Sequence, residues 1–117
     1  MTIHQDYSEL KENAVSTSRF LVGFANPTRL RILCRLLDGE CSVGDMAEWL
    51  NISQSALSQH LAKLRELKLV TTRRHRQTIF YSAASPHIEL LLSTLNGLRL
   101  PKTEIQDINI GGYPRHA

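Results

Sequence analysis

The sequence predicts a mainly α-helical domain that carries one small β-hairpin. Three observations predict it. Residues 51–68, NISQSALSQHLAKLRELK, place Leu57, Leu61, Leu64 and Leu67 at spacings of four and three, the stripe of an amphipathic helix. A shorter apolar stretch, residues 43–50 (VGDMAEWL), precedes it after a tight turn at Asn51 and Ile52. Downstream, residues 69–72 and 78–81 are β-branched and aromatic and suit two strands, with a polar, basic link of Arg73, Arg74, His75, Arg76 and Gln77 between them.

Taken in order, residues 7–25 read as a first helix, with Leu10, Ala14, Leu21 and Ala25 on one face. Phe20, Leu21, Val22 and Phe24 give that helix more apolar surface than so short a chain needs, so part of it is expected to face a partner subunit. Asn26-Pro27 is a helix-start signal: Asn caps and Pro takes the first helical position. That second helix runs to about Asp38, and Gly39 is placed to end it in the left-handed conformation. Ser42 with Asp45 three residues on is a capping-box variant that starts the third helix, in which Trp49 is expected to be core.

The fourth helix opens on Ser53, Gln54, Ser55, Ser58 and Gln59 rather than on apolar residues. A helix that buries one side and offers hydroxyls and primary amides at its start suits a DNA major groove, because Gln bonds an adenine edge bidentately and Ser donates or accepts. The third and fourth helices together read as helix-turn-helix, and the hairpin as the wing of a winged helix. Ser85-Pro86 repeats the start signal for a last helix, with Ile88, Leu90, Leu91, Leu92, Leu95 and Leu98 apolar on more than one face. So greasy a helix needs a cover, and a second copy of the chain is expected to supply it together with the first helix. The domain is expected over residues 8–99, with a flexible N-terminus at 1–7 and a flexible tail at 100–117, where Ile105, Ile108 and Ile110 have no evident docking place.

The 117 residues suffice for one small domain. No apolar run approaches the roughly 18 residues of a membrane span, and the polar N-terminus shows no secretory signal, so the cytoplasm is the expected compartment. The net charge of +3 is mild, but its distribution is not. Between Ser53 and Arg76 stand Lys63, Arg65, Lys68, Arg73, Arg74 and Arg76 against the single acid Glu66. Positive charge concentrated beside a reading helix is the footprint of a nucleic-acid binder.

With this order of elements, the chain resembles the ArsR/SmtB family of bacterial winged-helix regulators, and within it the NolR/HlyU-like branch. The resemblance covers about residues 19–98 and is carried by FANPTRLRILCRLLDGECSVGDMAEWL, SQSALSQHLAKLRELKLV and RQTIFYSAASP. It implies a homodimer paired through the first and last helices, with Phe20, Leu21, Phe24, Leu91, Leu95 and Leu98 at the interface. It further implies repression at a partly palindromic double-stranded operator, although a few relatives activate. By position, Gln54, Ser55, Ser58 and Gln59 would read bases, while Lys63, Arg73, Arg74 and Arg76 would hold phosphates or the minor groove. His60 turns toward the Leu57 and Leu61 side and is expected to be a semi-buried histidine with a local hydrogen bond.

The family's sensor sites are matched poorly. Where the arsenic-type site has three cysteines this chain has Ser42, Gly44 and Ala47, and Cys41 stands one position early. A second metal site is represented by His87 alone, with Ser85, Ser93, Asn96 and Gly97 at the other positions. Cys34 matches the first cysteine of the thiol- or persulfide-responsive branch, but its partner position near Leu100 carries no cysteine. Cys34 is therefore expected to be a small core residue. No metal and no cofactor is implied, and no inducer is indicated. A thiol redox enzyme using Cys34 or Cys41 would need a base or a resolving thiol at a spacing the chain does not offer. A winged helix that binds only proteins would show apolar anchors where this one begins S-Q-S-A-L-S-Q.

Overall fold

Side-chain caps set the starts of four of the helices. In the computed structural model, which describes residues 5–102, the elements run α1 Ser8–Glu12, α2 Ala14–Val22, α3 Pro27–Leu36, β1 Cys41–Ser42, α4 Val43–Leu50, α5 Gln54–Glu66, β2 Val70–His75, β3 Thr78–Ala83 and α6 Pro86–Leu98. Asn26 accepts from the Arg29 N–H at 3.0 Å, Ser42 from Asp45 at 3.2 Å, Ser53 from Ala56 at 3.0 Å and Ser85 from His87 at 3.1 Å. Each such cap satisfies a donor that the first helical turn leaves orphaned and is worth about 1 kcal/mol. Gly39 takes φ +125°, which suits glycine, as the chain turns from α3 toward β1.

The structure departs from the sequence reading in several places. The first helix is two: α1 and α2 meet at Asn13, whose φ of −100° and ψ of 21° interrupt the helical run. The hairpin strands are longer than expected and converge on a two-residue turn, Arg76-Gln77. Arg76 takes φ 59° there, a left-handed value usually filled by Gly or Asn. A third strand, β1, pairs with β3 through Cys41↔Tyr81 and Ser42↔Phe80, so the sheet order is β1-β3-β2, antiparallel throughout. Two residues carry too little pattern to announce a strand, which explains why β1 has no sequence signal.

The core lies between α3, α4, α5, α6 and the inner face of the sheet. Ile32, Leu33, Met46, Leu57, Leu64 and Ile88 have no accessible surface, and Leu61 has 1%. Trp49, expected in this core, is 52% exposed. The buried stripe of α4 is Met46, Ala47 and Leu50, and Trp49 lies about 110° round the helix from its centre. The Arg31 guanidinium covers its ring at 5.6 Å. Cys34, also expected in the core, is exposed, because α3 turns Ile32, Leu33 and Leu36 inward and leaves Cys34 on the other side. Phe24, expected at a subunit interface, is 8% exposed within the protomer's own core, with Phe20 beside it at a ring separation of 5.0 Å.

The helices α1 and α2 bury no residue, and Leu10, Val15, Leu21 and Val22 are exposed on them, as are Leu90 and Leu98 on α6. Leu91 packs partly against the core, and Leu95 is half-buried. Residues 1–4 of the expected flexible N-terminus, and the tail from residue 103 with its three isoleucines, lie outside the described residues. Among the described residues no helix is long and apolar enough to cross a membrane.

Candidate nucleic-acid interface

The helix α5 has two chemically distinct sides. Leu57, Leu61 and Leu64 anchor one side in the core. On the other, Ser55, Ser58, Gln59 and Ala62 are all exposed at spacings of three, one and three, and Gln54 is exposed beside them in the first turn. Ala62 was not singled out from the sequence, since alanine is uninformative until its face is known. Its methyl keeps that side of the helix low enough to approach a base edge. The preceding turn is fixed by Asn51, which takes the left-handed conformation at φ 57° and ends α4. Ser53, which could have offered its hydroxyl outward, spends it on the Ala56 N–H instead.

The wing rises beside this helix. Gln54 shares an open cleft of about 310 Å³ with Ser42, Val43 and Gly44 at the start of α4 and Gln77, Thr78 and Ile79 of the hairpin. The start of the reading helix and the wing tip thus border one concavity. Register divides the wing side chains between the two faces of the hairpin. Arg74 pairs with Ile79, on the face that also carries Val70, Tyr81 and Ala83. Arg73 pairs with Phe80 on the opposite face.

The three wing arginines therefore differ. Arg73 donates from Nε to Glu40 Oε2 at 2.9 Å and from Nη2 to Oε1, a two-pronged ion pair, while its guanidinium lies 4.6 Å from the centre of the Phe80 ring. The hydrogen bonds from Arg73 hold the Glu40 carboxyl below the usual glutamate range, and Glu40 in turn raises Arg73. Among the described residues, Arg74 and Arg76 make no ion pair. Lys63 is 3.9 Å from Glu66, one turn on, a loose surface contact. Glu40 itself had no signal in the sequence, standing 33 residues from Arg73.

The remaining candidates sit apart from this surface. His60 is half-buried on the inner flank of α5; burial, and then the nearby Arg29 charge, lower its pKa. The local hydrogen bond expected of it is not formed among the described residues. Arg29 is itself engaged, donating to the Val22 carbonyl at 2.8 Å and to that of Gly23 at 3.3 Å. Cys34 and Cys41 are both free thiols, and both are raised above the usual range, first by desolvation and, at Cys34, also by Asp38. A raised thiol is a poor nucleophile at neutral pH, which is contrary to what redox chemistry asks of Cys34. His87 is exposed at the start of α6 and shares a 3.1 Å contact through Nδ1 with the Ser85 hydroxyl.

A polar helix face beside a basic wing describes a chemistry; comparison with known proteins gives it a family. The model of bacterial regulatory proteins of the arsR family matches residues 26–72, from the cap of α3 into β2. The transcriptional activator HlyU of Vibrio cholerae is 46% identical over 77% of this chain and 83% of its own length. The chain belongs to the ArsR family. The nodulation protein NolR of Rhizobium meliloti is 47% identical over 77% of this chain and 74% of NolR. The crystal structure of the transcriptional repressor BigR from Xylella fastidiosa superposes with a TM-score of 0.76 at 31% identity, covering 84% of this chain and all of BigR. The fold is the winged helix-turn-helix of that family, and the protein is an ArsR-family transcriptional regulator, not an enzyme.

Proposed function

We propose that this ArsR-family protein acts in the cytoplasm as a homodimeric repressor of a partly palindromic operator. Two copies of α5 enter successive major grooves, one helical turn apart. The observation that carries this reading is the back-to-back arrangement of α5: buried leucines hold it from behind while Gln54, Ser55, Ser58 and Gln59 stay exposed in front. The two glutamines and two serines discriminate bases, with each good contact worth about 1–3 kcal/mol. Arg74, Arg76 and Lys63 supply the salt-sensitive attraction to phosphates. The dimer forms through α1, α2 and α6, whose exposed Leu21, Leu90 and Leu98 are otherwise unpartnered apolar surface, with Leu95 half-covered between them.

Repression follows from position, since a dimer seated across a promoter excludes polymerase. The relatives named activator and repressor share the fold, so the sign of regulation depends on where the operator lies. The test is selection of bound fragments from a genomic DNA pool, followed by sedimentation of the protein–DNA complex. Recovered sites with two related half-sites, bound by two chains, support the reading. Recovery of fragments without a shared sequence, or binding by a single chain, refutes it.

A further inference from the structure

The Glu40–Arg73 contact is distinctive because of where the sheet puts it. Ser42, Phe80 and Arg73 are consecutive register partners across β1, β3 and β2. The Arg73 side chain therefore spans β3, lies over the Phe80 ring, and reaches Glu40 just beyond the far edge, at the turn between α3 and β1. The pair ties the outermost strand of the wing to the body of the domain, across a strand that neither residue belongs to. All of this is on the outer face of the hairpin. The opposite face carries Ile79, which lines the cleft with Gln54, and its register partner Arg74.

We propose that Glu40 and Arg73 form a strut that sets the wing's angle against the reading helix, and that Arg73 is a positioning residue rather than a phosphate ligand. The inference rests on the DNA-binding reading above and divides the wing's basic cluster by function. Arg74 and Arg76 meet DNA, whereas Arg73 places them. Two nitrogens on two oxygens fix the orientation of the guanidinium as well as its distance, and the aromatic ring beneath fixes its plane. Beyond β1 the hairpin is a two-strand ribbon, marginal on its own in water, and such a brace gives it a defined position.

The experiment is a double-mutant cycle with the full chain on a selected operator, using Glu40→Gln, Arg73→Ala and the pair of changes together. Affinity is measured from about 50 to about 200 mM salt on selected and scrambled DNA, and circular dichroism confirms folding. A strut predicts that each single change weakens operator binding about two- to fivefold. The salt slope stays as in the unaltered protein, and the double variant binds like the weaker single one. A phosphate-binding Arg73 predicts otherwise: Glu40→Gln tightens binding by freeing the guanidinium, and Arg73→Ala lowers the salt slope by about one. That result, additive losses, or no change in any variant would overturn the strut alone. An unaltered chain that does not distinguish selected from scrambled DNA would overturn the DNA-reading assignment beneath it.

Discussion

Gly23 couples the end of α2 to the root of the wing, and replacing it by alanine makes that coupling measurable. Gly23 is buried, with φ −60° and ψ −27°, a helical conformation that any residue adopts. A Cβ added there would stand 2.0 Å from Leu69 Cδ1 and 3.5 Å from both Leu64 Cδ2 and Leu67 Cδ1. Ordinary carbon contacts lie at about 3.5–4.0 Å, so the Leu69 methyl must retreat by about 1.5–2 Å. Leu69 is 2% exposed and has little room to turn. Overpacking of this kind costs about 1–3 kcal/mol, and the alanine backbone returns up to about 1 kcal/mol. The net expectation is a loss of about 0.5–2 kcal/mol, read from urea unfolding at unchanged m-value. Adding Leu69→Ala removes the obstructing methyl, so the two substitutions together should destabilise by less than the sum of each alone. A Gly23→Ala protein as stable as the parent, or strict additivity with Leu69→Ala, would show that the close approach has no energetic consequence.

Gln54→Ala and Gln59→Ala should each reduce the preference for selected over scrambled DNA by about 1–3 kcal/mol while leaving non-specific binding nearly intact; competition gel shifts on the two DNAs check this, and equal loss on both refutes it. Arg74→Ala and Arg76→Ala should weaken binding to every sequence alike and lower the salt slope by about one each, measured by fluorescence anisotropy over a salt series. The lowered pKa of His60 has a consequence for stability. The folded state resists protonating this ring, so the unfolded chain binds the extra proton first. Stability then falls as pH drops through the ordinary histidine value near 6.5 and levels off below the folded pKa. Unfolding midpoints taken between about pH 8 and pH 5 should show this slope in the parent and a shallower one in His60→Gln.

What the sequence disclosed and what it withheld divide along physical lines. The helix starts at Asn26, Ser42 and Ser85 were legible because capping is a local matter of two or three residues, and the caps are formed as expected. The leucine stripe of α5 was legible because a 3.6-residue period survives in one dimension. The placement of single apolar residues outside a stripe was not. Trp49 sits just outside the buried stripe of α4 and Cys34 lies nearly opposite that of α3, and residue type alone assigned both inward. Phe24 reads as interface surface and sits in the protomer's own core; a core close to a chain turn and an intermolecular seam carry the same apolar signature. The Glu40–Arg73 pair and the β1 strand depend on sheet register, which brings together residues far apart in sequence.

The five-residue α1 and nine-residue α2 bury no side chain within the protomer. Helices this short are marginal on their own in water, and most helical stability comes from packing. In the proposed dimer, the partner must furnish that packing, so structure at the N-terminal end is purchased by association. Well below the dimer dissociation constant, the concentration of paired molecules follows the square of the total. Halving the cellular supply would then remove about three quarters of the operator-competent species, and the regulator would report its own abundance steeply, with no small molecule involved.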